Sequence, residues 1–176
     1  MSKAYLKLLA FTILLFPLFC SNCAPHLQLT EEGRYSDPQG NFQLTVPRDG
    51  WQLLSWEDVH FVLWDPKEGA TIVVNVTSLK EEVDLATLTR HLLIAVERKQ
   101  IISQETTKVD GREAVKTVVE GWVEKTAVKA ETYVVRGEGV FYDIIFWAPR
   151  DAFPRKIETF RQFLGGIKFL HPKGPQ

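Results

Sequence analysis

The chain has 176 residues, with 21 Lys and Arg against 22 Asp and Glu, a formal charge of −1 and 45% hydrophobic residues. Acidic and basic residues alternate without a block of like charge, which excludes nucleic acid from the expected partners, because a phosphate-binding face needs clustered cations. The only cysteines are Cys20 and Cys23, so the body of the chain has neither a disulfide framework nor a thiol for catalysis.

Lys3 and Lys7 precede an apolar run from Leu8 to Phe19. About a dozen apolar residues behind a short positive region match a secretory leader and fall short of the roughly 20 needed to span a membrane. Residues 1–22 are therefore expected to be a lipoprotein signal peptide that sends the protein to the bacterial cell envelope. Such signals place a cysteine directly after the cut, with small residues before it. Cys23 follows Ser21 and Asn22, whereas Cys20 follows Leu18 and the bulky Phe19. Cys23 is thus the expected acylation site and Cys20 the fallback, although Cys20 and Asn22 stand where the usual box has Leu and then Gly or Ala.

Two or three acyl chains anchor durably where one binds only reversibly, at about 0.8 kcal/mol per buried methylene. Alanine rather than aspartate at position 24 resembles lipoproteins sent to the outer membrane, with the domain facing the periplasm. Ordinary cleavage around Ser21 to Ala24 would instead leave a soluble periplasmic or secreted protein. A zinc reading of the cysteine pair lacks a second cysteine pair or a histidine cluster. Loss of Lys3 and Lys7 with the leader moves the balance to about −3 and leaves about 150 residues, the size of one domain.

Residues 23–41 are polar, carry Pro25, Gly33, Pro38 and Gly40, and read as a flexible tether. A single domain is expected over 42–170. Phe42, Leu44 and Val46 alternate with polar neighbours as a half-buried strand, and Pro47 and Gly50 end it. Trp51 and Leu53 resume the pattern, Val59, Phe61 and Leu63 form a strand that stops at Asp65, and Ala70 to Thr77 follows as a meander. Asp84 is the expected N-cap of a helix whose stripe is Leu85, Leu88, Leu92 and Val96 and whose end lies near Lys99. Strands Ile101 to Val109 and Arg112 to Val123 join at Asp110-Gly111, which favours a tight hairpin turn. Ala127 to Val135 and Val140 to Trp147 form a second hairpin around Gly137-Glu138-Gly139. A last helix starts near Asp151 with Pro154 in its first turn and Phe153, Ile157, Phe160 and Phe163 on one face. Gly165 and Gly166 end it, Ile167 to Leu170 makes a closing strand, and residues 171–176 are a loose tail. Antiparallel strands interrupted by two amphipathic helices predict an α+β fold, a twisted antiparallel sheet with two main helices packed on it.

Several of these features together resemble the PsbP-like superfamily: Gly40-Asn41-Phe42 leading to Val46-Pro47 and Trp51, Asp110-Gly111 followed by Ala114, and an aromatic helix running into Ile167-Lys168-Phe169. That superfamily includes the extrinsic photosystem subunit of that name, the Ran-binding Mog-type import factors and many bacterial lipoproteins. The resemblance spans roughly Tyr35 to Leu170 and implies the fold. Its motifs are structural, so no contact residue is carried over.

Candidate chemistry is sparse. The histidines His26, His60, His91 and His171 lie in no metal-ligand spacing, no serine stands in a GxSxG elbow, and no cofactor or metal is expected. His26 and His171 fall in the expected tails and His91 borders the first helix stripe. His60 shares a strand face with Trp64 and follows Glu57 and Asp58, so a carboxylate could orient its imidazole. Glu57-Asp58 and Glu81-Glu82 read as solvated loop charges. Asn75-Val76-Thr77 fits a glycosylation acceptor, but its mid-strand position gives it no role. Of the five tryptophans, Trp51 and Trp147 read as core. Trp56, Trp64 and Trp122, with His60, form a candidate aromatic binding patch. The leading expectation is a non-catalytic envelope lipoprotein, attached to the membrane by its lipid, that presents a binding domain to an envelope protein. The alternatives are a periplasmic carrier of a small apolar or lipid ligand and, less favoured, a hydrolase.

Overall fold

The computed structural model describes residues 29–170 except 31, 49 and 79–82. The leader, Cys20, Cys23, His26, Glu81, Glu82 and the tail from His171 lie outside the described residues. Within them the chain runs β1 (Arg34–Ser36), β2 (Phe42–Thr45), β3 (Gln52–Leu54), β4 (Phe61–Asp65), β5 (Ala70–Ser78), α1 (Leu85–Leu92), β6 (Glu97–Val109), β7 (Arg112–Val123), β8 (Thr126–Arg136), β9 (Val140–Pro149), α2 (Phe153–Gly165) and β10 (Lys168–Phe169). Seven strands make one sheet in the order β3-β4-β5-β9-β8-β7-β6, and the small sheet β1-β2-β10 closes one end of the core. Every pairing is antiparallel, which gives the expected α+β architecture.

Alternation along the strands sorts the large sheet into two faces. Phe61, Leu63, Ile72, Val74, Ile144 and Phe146 turn to one face and are buried. Helix α2 lays its aromatic stripe on them, with the Phe160 ring 5.1 Å from Phe146 and the Phe163 ring 5.9 Å from Phe61. Two buried carboxylates fix its position: Glu131 takes Arg161 at 3.1 Å, and Asp65 takes Lys156 at 2.6 Å. Proline in the first turn starts α2, and it ends at Gly166, as predicted.

The other face carries α1. Asp84 caps it by accepting from the Thr87 amide at 2.9 Å, and Leu85 and Leu88 pack on Val134 and Phe141. The helix stops at Leu92, a full two turns before Lys99. Val96 lies outside it and packs with Leu93 against Val119 and Ala130, while Lys99 already belongs to β6 and sends its ammonium back to the Leu93 carbonyl at 3.1 Å. Gly121 permits this crossing, since a Cβ there would collide with the Val96 side chain and the Glu97 carbonyl. At the hairpin between β6 and β7, Asp110 and Gly111 both take positive φ, as the dipeptide predicts.

The segment read as a tether is bound to the domain from residue 34 onward. Arg34–Ser36 pairs with β2, and Tyr35 is 1% exposed, its ring 4.7 Å from Phe61. Three residues with a single buried side chain present no period to detect.

Candidate functional site

The loop between β3 and β4 carries Trp56, Asp58 and His60. Asp58 takes a φ of 62°, a left-handed conformation that Asp tolerates better than most residues, and the chain turns there as the Val59 amide donates to the Trp56 carbonyl. The former tether holds the loop down: the Tyr35 hydroxyl donates to the His60 carbonyl at 2.8 Å. Burial, with the nearby Asp37 charge, pushes the Tyr35 phenol up to about 12, so it remains a donor throughout the physiological range.

Across from the loop stands the turn between β1 and β2. Asp37 is buried and accepts from the Asn41 amide at 3.0 Å and from its side chain at 2.6 Å. Turn and loop enclose an open pocket of about 440 Å³, lined by Tyr35, Asp37 and Gln39 on one side and by Trp56, Asp58 and His60 on the other. Trp56 is 49% exposed at its rim.

The partner of His60 is neither Glu57 nor Asp58. Its Nδ1 lies 2.8 Å from Asn75 Oδ1 and 3.3 Å from the Val76 amide nitrogen. His60 sits one place beyond the last β4–β5 pair, Phe61 opposite Val74, so its ring takes over where the backbone ladder stops. The Val76 amide donates to Nδ1, which makes that nitrogen an acceptor and leaves the proton of the neutral ring on Nε2, with the Asn75 carboxamide turning its N–H toward Nδ1. The ring is oriented from the neighbouring strand, because a strand aligns side chains across to its neighbour, not along the preceding turn.

The four expected patch residues do not meet. Trp64, 37% exposed, lies on the α1 face in a cross-strand row with Thr71 and Trp147, the threonine buried between the two indoles. Trp122, 38% exposed, lies on the α2 face: its neighbour Glu120 pairs with Lys129, whose ammonium sits over Phe153 of α2. Strands β5, β9 and β8 separate it from β4. Only Trp56 and His60 share a pocket. Trp51 and Trp147 are half-buried against the core clusters. His91 lies exposed in the last turn of α1.

Three residues were not picked out as site residues in the sequence: Tyr35, Asp143 and Asn75, the last noted only as part of a glycosylation acceptor. Asp143 pairs in register with Asn75 and Val134 on the α1 face; its Oδ1 is buried without a hydrogen-bond partner, and burial alone raises its carboxyl to about 7. Thr132, diagonal to it on β8, also has its hydroxyl buried and unpartnered. Isoleucines 94, 101 and 102 are exposed where α1 runs into the edge strand β6. Among the described residues no three His, Cys, Asp or Glu side chains are close enough together to hold a metal ion. No helix among them is long and apolar enough to cross a membrane.

No protein-family model matches the chain, and no curated protein matches it. Solved structures do. Cyanobacterial PsbP (CyanoP) from Synechocystis sp. PCC 6803 is similar at 15% identity with a TM-score of 0.60, over 77% of this chain and 91% of that one. LpqN of Mycobacterium tuberculosis, a protein involved in cell envelope biogenesis, is similar at 18% identity with a TM-score of 0.59, over 76% of this chain and 86% of that one. A protein of Bacteroides thetaiotaomicron VPI-5482 is similar at 9% identity with a TM-score of 0.59, over 84% of this chain and 51% of that one. The fold is therefore PsbP-like.

Proposed function

We propose that the chain is a non-catalytic bacterial cell-envelope lipoprotein, acylated at Cys23, that presents a protein-binding surface at the Trp56 loop. The observation that carries this reading is the half-exposed indole of Trp56 on a loop pinned by the Tyr35–His60 bond. A large aromatic with only two torsions to order, presented at a pocket rim, supplies contact area at little entropic cost, which is the physical profile of an interface anchor. The leader of residues 1–22 supports an envelope location, as does the likeness to LpqN, which is involved in cell envelope biogenesis in its own organism. Anchoring in the outer membrane, facing the periplasm, is the finer part of the proposal and rests on Ala24.

The full chain is expressed as wild type, Cys23→Ser and Trp56→Ala, and detergent-solubilised envelope is passed over each. The expected result is one partner captured by the wild type and by Cys23→Ser and lost with Trp56→Ala. Undiminished capture by Trp56→Ala would move the surface elsewhere. Recovery of a copurifying lipid alone would favour the carrier reading. Palmitate labelling is expected to vanish in Cys23→Ser; persistence there with loss in Cys20→Ser would shift the anchor to Cys20.

A further inference from the structure

We propose that the pocket beside Trp56 receives a basic side chain, an arginine above all, from a polypeptide partner; this rests on the binding surface proposed above. Among the described residues, the charged side chains lining the pocket, Asp37 and Asp58, are both carboxylates, and no lysine or arginine lines it. Glu57, exposed between Trp56 and Asp58, adds a third negative charge to the same loop. An indole face attracts a cation through its quadrupole, and tryptophan is the strongest of the aromatic side chains in this respect. A guanidinium is planar, weakly hydrated and able both to stack on the indole and to bond a carboxylate in the plane of its N–H groups. Asp37 is already committed through Oδ2 to Asn41, so its role is to set the field, while Asp58 is exposed and free to meet the ligand.

The same chemistry discriminates against a lipid amine. A zwitterionic headgroup carries its phosphate a few bonds from the ammonium, and the two carboxylates lining the pocket, with Glu57 on the same loop, would repel that phosphate. A protein arginine brings no such anion. A metal ion is a poor match, because among the described residues no three His, Cys, Asp or Glu side chains come close enough together to hold one.

The test uses the full mature chain with 15N-labelled backbone and indole groups. It is titrated with a glycine pentapeptide carrying a central arginine, with the same peptide carrying neutral citrulline, and with phosphatidylethanolamine vesicles. The expected result is a shift of the resonances of residues 55–60 with the arginine peptide only, weakened about tenfold in Asp58→Asn and abolished in Trp56→Ala. Asparagine tolerates the positive φ at 58, so the first variant keeps the loop. Equal shifts with citrulline, no shift at millimolar arginine peptide, an unchanged response in Asp58→Asn, or shifts confined to vesicles would each overturn the proposal. If the envelope partner still depends on Trp56 while the arginine peptide fails, only this inference falls. If the peptide binds while capture is indifferent to Trp56, the binding-surface reading falls instead.

Discussion

At the scale of single residues, the most consequential group is one the sequence hides. Nothing in the run Tyr142-Asp143-Ile144 separates Asp143 from an ordinary outward-facing strand aspartate, because its burial depends on α1 and on strands far away in the chain. Burial raises its folded value to about 7, so between about pH 4 and pH 7 the folded protein binds more protons than the unfolded chain. Its contribution to stability is full below the unfolded value and is lost as pH rises through 7. Discounted for partial exposure, the loss is about 2 kcal/mol. Asp65 and Asp110 act in the opposite sense: burial raises both, but Lys156 and Lys168 with neighbouring amides outweigh it and hold both carboxyls low, so their contribution disappears as pH falls below the ordinary carboxylate range. Urea midpoints of the wild type are expected to peak near the acid end and fall toward pH 7.5, while those of Asp143→Asn stay level. Parallel curves for the two proteins would refute this account. His60 was legible as a candidate through its alternation with Trp64, but its true partner was not, since only the β4–β5 register brings Asn75 beside it.

Elements differ in how plainly they announce themselves. Helix α2 was readable end to end because proline, a phenylalanine stripe and paired glycines all point to one answer. Helix α1 was readable at its start, where Asp84 caps it, and misread at its end, where Val96 continues the period by accident of being buried from a different direction. What the sequence conceals about α2 is how it is locked. Glu131 is buried on β8 and is met by Arg161 of the helix and by the Tyr133 hydroxyl at 2.9 Å. Removing the arginine strands a buried carboxylate, whereas glutamine at 131 keeps the hydroxyl bond without a charge. Arg161→Ala is therefore expected to cost about 2 kcal/mol, reduced from the value for a fully buried pair because the guanidinium is half exposed, and Glu131→Gln about 1 kcal/mol. Urea denaturation of the two variants orders them; a larger loss for Glu131→Gln would show that the helix does not depend on the ion pair.

For the molecule as a whole, the domain starts at β1 and not at Phe42. A domain of this size has about 5–15 kcal/mol of net stability. Emptying the space of a buried Tyr35-sized ring costs about 3–5 kcal/mol, before the β1–β2 pairs are counted. A chain beginning at Phe42 is accordingly expected to lose its near-ultraviolet dichroism and cooperative melt, and a chain beginning at Leu29 to keep both. Retention of a sharp melt without residues 29–41 would return that segment to the role of a linker. Fold class was legible because alternation and helical period survive in most elements; the two-sheet division was not, since it depends on a strand of three residues and another of two.

β2 owes one neighbour to the beginning of the domain and the other to its end: Gln43 and Phe42 face Lys168 and Phe169, and the Phe169 ring packs on Tyr142 while its amide donates to Asp110. Completion of the small sheet must wait for β10, the final strand of the described residues. Were the chain exported from its amino terminus, as the proposed envelope location requires, closure of this sheet would wait until β10 had crossed, and the polypeptide would stay slack enough to pass through a narrow pore.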